Sequence, residues 1–527
     1  MPATLKGNVV DYIFEGLDDE ILAKPCLISD GQTHSYGDLL EHMDRAGDIL
    51  RDLGAVPGDR IMLCMRDGLD FPAFFFGAIK AGIVPVPLNT YLTPKDYIYY
   101  LNDSGARALV VEADIFEKIL PSSGELTHKP SIMTVGGRIG GYPCLDDRRT
   151  APTQPRGTVD ATPDSTAFWL YSSGSTGSPK GVLHTHAHLF WACELFGLPM
   201  QGISKDDVVL CPPKMFFAYG LGNQVYFPLR AKATTVCTSA PIKPEAVWRE
   251  WIAHRPTIFM GVPTLFAGMI AYAEEHLSAA QVADACSRTR FCVSGGEVLP
   301  PTLLNRWRNL TGLDILDGVG TTEMTHMFII NRPGDVVPGS CGKPVPGFET
   351  ELLGEDGTPV PPGEIGSLFA KGPTAALEYW NKPEKTAETM WNGGVFTGDK
   401  YYQDDQGNLF YVGRGDDMLR IGAIWVSPAE IENVIAEHDA VQECAIVGAP
   451  NEDGLVRPVA YVVLRKSGHA PGLSDSLTDD IKNYVKSKLP RFKCPAQFEF
   501  VPDLPKTATG KIQRFRLRER TAGSAAA

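Results

Sequence analysis

The chain has 527 residues, of which 43% are hydrophobic and 21% charged, and it carries a net charge of −14. That length exceeds what one hydrophobic core organises, so at least two domains are expected. The acidic balance argues against a nucleic acid or an anionic membrane as partner, because both select a basic face.

Eleven cysteines lie scattered without a Cys-x-x-Cys pair, which suits free thiols and a cytoplasmic protein. The start, Met1 to Lys6, lacks the apolar centre of a signal peptide. Residues 71–79 are the most apolar stretch, too short for a bilayer and expected as a buried helix, with a strand following at 83–87. Further strands are expected at 107–111, 208–210 and 257–260. Their alternation with helical patterns predicts layered α/β domains with parallel pairing. The polar, proline-bearing residues 146–164 read as a surface connection.

Residues 168–170, Phe-Trp-Leu, read as a buried strand ending at Tyr171-Ser172-Ser173-Gly174-Ser175-Thr176-Gly177-Ser178-Pro179-Lys180-Gly181. The glycines let consecutive N–H groups converge on one concavity. Ser172, Ser173, Ser175 and Thr176 add hydroxyl donors, and Lys180 adds a mobile cation. This is the chemistry of a polyphosphate cradle, at the strand end where an α/β fold usually holds a nucleotide. A flexible surface linker is the plainer alternative. Pro179 stands where a Walker A loop needs glycine, so that motif is excluded. His184, His186 and His188 come next. On a strand, alternate positions share one face, which makes these imidazoles a metal set to consider, although no cysteine or acid lies near.

Residues 216–223, Phe-Phe-Ala-Tyr-Gly-Leu-Gly-Asn, alternate aromatic and small side chains. That composition suits a flat slot for a ring, or ordinary core packing. Ser294-Gly295-Gly296-Glu297 brings backbone close to a ligand. In Thr321-Thr322-Glu323-Met324-Thr325-His326-Met327, His326 falls near the Glu323 carboxylate if the segment is helical. Frequent glycine and proline from 339 to 372 predict a β-rich subdomain. After a boundary at 413–417, Ile431, Val434 and Ile435 share one face of a helix that begins at Pro428. Strands at 445–447 and 459–463 and a helix using Ile481, Tyr484, Val485 and Leu489 complete an α+β module. The basic end, 511–520, reads as a solvated terminal helix.

The loop at 171–181 resembles the signature loop of the adenylate-forming superfamily, the acyl- and aryl-CoA synthetases. Four more stretches match in the expected order: Gly320-Thr321-Thr322-Glu323, Thr397-Gly398-Asp399, Gly413-Arg414-Gly415-Asp416, and Pro505-Lys506-Thr507-Ala508-Thr509-Gly510-Lys511. The Phe-Phe-Ala-Tyr-Gly-Leu-Gly-Asn run, Glu323-Met324-x-His326 and the ending Lys511-Ile512-Gln513-Arg514-Phe515 resemble benzoate-CoA ligases and the related 2-aminobenzoate-CoA ligases.

That resemblance implies a large N-terminal domain, 1–415, of layered α/β subdomains with a β-rich subdomain. It also implies a small mobile α+β domain, 416–527, hinged at Asp416. The implied activity is ATP-dependent: an aromatic carboxylic acid is adenylated, pyrophosphate leaves, and the aryl group passes to coenzyme A. ATP would be held by Ser172, Ser173, Gly174, Ser175, Thr176, Gly177, Lys180, Gly296, Glu297, Asp317, Gly318, Val319, Gly320, Thr321, Asp399 and Arg414. Thr322 would donate to the α-phosphate, Glu323 would help to hold Mg²⁺, and Lys511 would bridge carboxylate and α-phosphate; Lys506 would be structural.

The aryl acid would lie against Phe217, Ala218, Tyr219, Gly220, Gly295, Gly320, Thr325 and His326. Gly422, Ala423 and Trp425 would line the pantetheine tunnel, where Arg420-Ile421-Gly422-Ala423 departs from the Lys-Val-Ser-Gly of many relatives. Two more departures are Gly295 in place of alanine and Thr325 in place of leucine. They imply a roomier, more polar slot and make 2-aminobenzoate a candidate beside benzoate. Loading of a carrier protein and a non-catalytic regulator are the competing readings, and a homodimer is left open.

Overall fold

The computed structural model describes residues 4–172, 178–415, 417–421, 424–450, 456–465, 474–506 and 512–525. The chain is α/β, with two compact units: Met1–Thr350 with Ala370–Val395, and Glu351–Phe369 with Phe396–Ala527.

The larger unit contains a nine-stranded sheet. Its order runs Lys343–Pro344, Met327–Ile330, Ile315–Gly320, Phe291–Ser294, Ile258–Gly261, Val208–Leu210, Thr234–Cys237, Pro25–Ser29, Gln32–Ser35. From Ile315–Gly320 to Pro25–Ser29 the pairing is parallel, as the alternating pattern predicts, and antiparallel strands close both edges. Trp248, Trp251, Phe259, Phe266 and Trp307 form one core, all almost fully buried. A second, parallel sheet orders Val84–Pro87, Arg60–Cys64, Ala108–Glu112 and Ser131–Val135. The apolar helix Asp70–Lys80 buries Phe71, Phe74, Phe75 and Phe76. Its terminal charges complement the helix dipole, and Lys80 pairs with Asp44 at 2.6 Å.

The smaller unit contains a sheet of Val441–Pro450, Val456–Leu464 and Gln497–Phe500. Helices Pro428–Ala436 and Ser474–Lys488 contribute Ile431, Ile435, Ile481 and Val485 to one apolar cluster with Ile446 and Val462. Alternation along the strands places Ala445, Val447 and Tyr461 in a second cluster with Leu517 of helix Arg514–Ala525. This is the α+β module expected from the helical spacing. Among the described residues, no helix is long and apolar enough to cross a membrane, and all eleven cysteines are free.

Candidate active site

Strand Thr166–Ser172 runs antiparallel to Lys180–Thr185, with Ser172 opposite Lys180. The glycine-rich loop therefore closes a hairpin, not the strand-to-helix turn of a parallel α/β unit. Ser173, Gly174, Ser175, Thr176 and Gly177 lie outside the described residues. Lys180 leaves the hairpin with its ammonium 5.1 Å from the centre of the Tyr379 ring. Tyr379 bridges to Val182, and the Trp380 N–H donates to the Gly181 carbonyl, so residues 379–380 lie along the edge of the hairpin. The Tyr379 hydroxyl donates to Glu323 Oε1 at 2.8 Å.

The three histidines do not share a strand. His184 belongs to Lys180–Thr185, whereas His186 and His188 lie in helix His186–Ala192. His186 Nδ1 accepts the Val9 N–H, and His188 Nδ1 accepts the Thr185 N–H. Among the described residues, no group of His, Cys, Asp or Glu is arranged to hold a metal.

Strand Ile315–Gly320 turns back as Met327–Ile330, so the matched Thr322 and Glu323 occupy a tight connection. Only Thr322–Met324 is helical, as one 3₁₀ turn, and Thr325 then takes φ +67°. A β-branched residue seldom occupies that region, so the turn is strained. Thr325 is anchored by donating its hydroxyl to the Thr374 carbonyl at 3.0 Å, and lies 3.1 Å from His184 Nδ1. The expected helical juxtaposition of His326 and Glu323 is thereby corrected: the left-handed residue between them ends the helix. The hydroxyl of Thr325 is spent inside the protein and does not make the slot more polar.

His326 is 3% exposed, and neither ring nitrogen has a well-formed hydrogen bond among the described residues. Burial drives its pKa down to about 3, so the ring is neutral at physiological pH. Phe196, Tyr219 and Phe227 surround it with ring centroids 4.9, 5.9 and 4.8 Å away, Tyr219 nearly parallel. Gly222 permits this approach, since a Cβ there would overlap the imidazole. Phe217, Ala218 and Tyr219 are half-buried, whereas Phe216, Gly220, Leu221 and Asn223 are buried. The aromatic run thus divides into a half-exposed face and ordinary core. Tyr219 is fixed by a hydrogen bond to the Val293 carbonyl at 3.1 Å.

The space expected at Gly295 is not vacant. A Cβ there would overlap the Met327 methyl group, and Tyr219 lies 3.5 Å away. The absent side chain is replaced by its neighbour, which corrects the expectation of a roomier slot. Gly296 takes φ +83°. The Glu297 carboxylate accepts from the Thr264 N–H at 3.1 Å and hydroxyl at 2.7 Å, at the start of helix Pro263–His276. Asp317 faces Ser294 in parallel register, and burial pushes its carboxyl up to about 8, with the Ser294 hydroxyl opposing. Burial thus favours its neutral form; Gly318, Val319 and Gly320 finish the strand, and Thr321 precedes the 3₁₀ turn.

In the smaller unit, Asp399 and Arg414 stand opposite each other on antiparallel strands Gly394–Gln403 and Leu409–Arg414 and pair at 3.0 Å. Lys506 pairs with Glu443 at 2.7 Å. The basic end is not simply solvated. Arg514 holds Glu432 through bonds of 2.8 and 2.7 Å, and Arg518 reaches Asp417 at 2.5 Å. Lys511, Asp416 (expected as the hinge), Gly422 and Ala423 lie outside the described residues; Trp425 is opposite Arg420 in a short hairpin.

Two family matches cover most of the sequence: AMP-binding enzyme over residues 20–380, and AMP-binding enzyme C-terminal domain over residues 430–511. The chain belongs to the AMP-binding enzyme family. It is an acid–thiol ligase of the adenylate-forming superfamily. This member is 44% identical to the benzoate–CoA ligase of Thauera aromatica over 94% of its own length and 92% of the relative. It is 39% identical to the 4-hydroxybenzoate–CoA/benzoate–CoA ligase of Rhodopseudomonas palustris, covering 99% of this chain and 96% of that one. The anthranilate CoA ligase AuaEII, solved in complex with anthranoyl-AMP, superimposes with a TM-score of 0.93 at 35% identity, over 100% of this chain and 99% of that one.

Against this AMP-binding family pattern, sequence reasoning missed three residues that the fold brings to the site. Tyr379 joins Glu323 and Lys180 from a segment with no motif of its own. Met327 fills the space at Gly295 from the far side of a turn, and Thr374 anchors Thr325. A tyrosine next to Trp380, just after the Gly-Pro-rich stretch, was the one signal for Tyr379, and it is indistinguishable from packing.

Proposed function

We propose that this chain is an ATP-dependent, AMP-forming aryl-CoA ligase acting on benzoate or a small substituted benzoate. One observation carries the aryl slot: a buried, neutral His326 whose ring nitrogens make no well-formed hydrogen bond among the described residues, stacked on the half-buried Tyr219. A neutral imidazole donates one hydrogen to a carboxylate without adding a charge, while Phe217, Ala218 and Tyr219 offer a flat apolar wall.

In the first half-reaction, a carboxylate oxygen of the acid bonds to the α-phosphorus of ATP. The bond from that phosphorus to the bridging oxygen breaks, and pyrophosphate leaves. Both reactants are anionic, so Lys180, the loop from Ser172 to Gly177 and Lys511 offset their repulsion. The residues present fit Mg²⁺: Glu323 is a hard oxygen donor, held in place by the Tyr379 phenol. When bound, the ion would neutralise phosphate charge. Thr322 donates to the α-phosphate, and Asp399 with Arg414 receives the ribose. In the second half-reaction, the sulfur of CoA attacks the acyl carbon and AMP leaves. Rotation of the small domain about Asp416 would exchange Lys511 for the pantetheine tunnel at Gly422, Ala423 and Trp425.

Met327 occupies the volume on which a preference for 2-aminobenzoate would rest, so benzoate is the first choice. The likeness to AuaEII keeps 2-aminobenzoate as the second. The deciding experiment measures pyrophosphate release over benzoate, hydroxybenzoates, 2-aminobenzoate, cinnamate and fatty acids, followed by thioester formation with free CoA against a phosphopantetheinylated carrier. Release with fatty acids alone, or acylation of the carrier alone, would refute the reading.

A further inference from the structure

The short helical segment that presents Phe217, Ala218 and Tyr219 is gripped on both sides by one buried carboxylate. Asp67 lies just beyond strand Arg60–Cys64 and is 3% exposed. Its Oδ1 accepts the Met215 N–H at 3.1 Å, and its Oδ2 accepts from Gln224 Nε2 at 3.4 Å. The same Gln224 nitrogen donates to the Pro213 carbonyl. Lys214, 4% exposed, places its ammonium 3.5 Å from Asp67 Oδ2 and donates to the Thr238 and Ala240 carbonyls at 2.6 and 2.8 Å.

Residues 215 and 224 are thus held by the same side chain, which ties the approach to helix Ala218–Leu221 to the π-helical turn Gly222–Tyr226 that follows it. Gly220 packs directly on the Lys214 and Pro213 carbonyls, where a Cβ would overlap both, so the turn cannot slide within its tether. Burial pushes the Asp67 carboxyl above its ordinary range, and Lys214 opposes that shift. An apolar pair of similar volume would hold this core as well as two buried charges do. What an apolar pair cannot supply is the directional grip on one amide N–H and one carboxamide.

We propose that Asp67 and Lys214 are positioning residues for the aryl slot: the carboxylate fixes the segment that presents Phe217, Ala218 and Tyr219, the last of them beside His326, and the lysine ties that carboxylate to the Thr238 and Ala240 carbonyls. The proposal rests on the slot reading above. It is tested by KM values for benzoate and for ATP in pyrophosphate release, with Asp67→Asn, Lys214→Met, their combination, and Ala218→Val as a direct reporter of the slot. Removing the grip raises benzoate KM about ten- to hundred-fold, because small misplacements of a binding group have effects of that size, while ATP KM stays within about two-fold. The double variant carries neither buried charge, so it remains folded where a single variant does not. A folded double variant with unchanged benzoate KM overturns the proposal, and so does a parallel rise in both KM values. If Ala218→Val also leaves benzoate KM untouched, the slot reading itself is overturned.

Discussion

Tyr379 donates its phenolic hydrogen to Glu323 at 2.8 Å while its ring faces the Lys180 ammonium at 5.1 Å. One side chain thereby sets the distance between the cation that ends the glycine-rich loop and the carboxylate of the Gly-Thr-Thr-Glu turn. Phosphate chemistry needs both groups placed in advance, since flexible partners would lose part of their interaction to ordering.

Tyr379→Phe keeps the ring under Lys180 and deletes the bond to Glu323. A hydrogen bond to a charged group contributes about 1.5–3 kcal/mol, so kcat/KM for ATP is expected to fall by about ten- to hundred-fold. Added Mg²⁺ should restore part of the loss. Steady-state pyrophosphate release over a Mg²⁺ series checks this, and a wild-type rate at every concentration would remove Tyr379 from the site.

Gly295→Ala places a methyl where the Met327 methyl now lies. Met327 is the flexible partner and must move, at a cost to kcat/KM for benzoate of about 1–3 kcal/mol. Shortening Met327 to Ala in the same chain should recover most of that loss. The double-mutant cycle on kcat/KM is the measurement; additive effects would mean that the two residues do not share this space.

Burial lowers the pKa of His326 to about 3, of His186 and His188 to about 4, and of His184 well below its ordinary 6.5. Below pH 6.5 the unfolded chain binds more protons than the folded one, so stability is complete above that pH and is lost as the pH falls. Each histidine contributes a slope of about 1.4 kcal/mol per pH unit in that window. The Tm should be nearly level from pH 7 to 8 and decline steadily from 6.5 to 4.5. A level Tm down to 4.5 would show that these rings are not buried as neutral groups. For the same reason His326 should contribute no inflection to kcat/KM between pH 5 and 8.

Lys511→Ala should abolish most adenylation, because no other cation is assigned between the carboxylate and the α-phosphate. Thioester formation from pre-made aryl-adenylate and CoA should largely survive. Equal loss of both half-reactions would refute the assigned role.

The helix at Asp70–Lys80, the strands at 208–210 and 258–261 and the C-terminal α+β module were legible in the sequence because each rests on local periodicity and composition. The family was legible too, since closely spaced glycine, hydroxyl and lysine residues make motifs that local sequence alone can display. The tertiary structure decided what depends on residues far apart in the chain. Thr325 takes a left-handed turn because Thr374 and His184 anchor it, and that turn removes His326 from the Glu323 face. Met327 reaches into the space at Gly295 because antiparallel pairing with Ile315–Gly320 folds it back there. Tyr379 meets Glu323 and Lys180 only after residues 379–380 have joined the hairpin. Local pattern sets secondary structure through short-range sterics and burial. The wall of a pocket is set by contacts between segments, which no stretch of sequence contains.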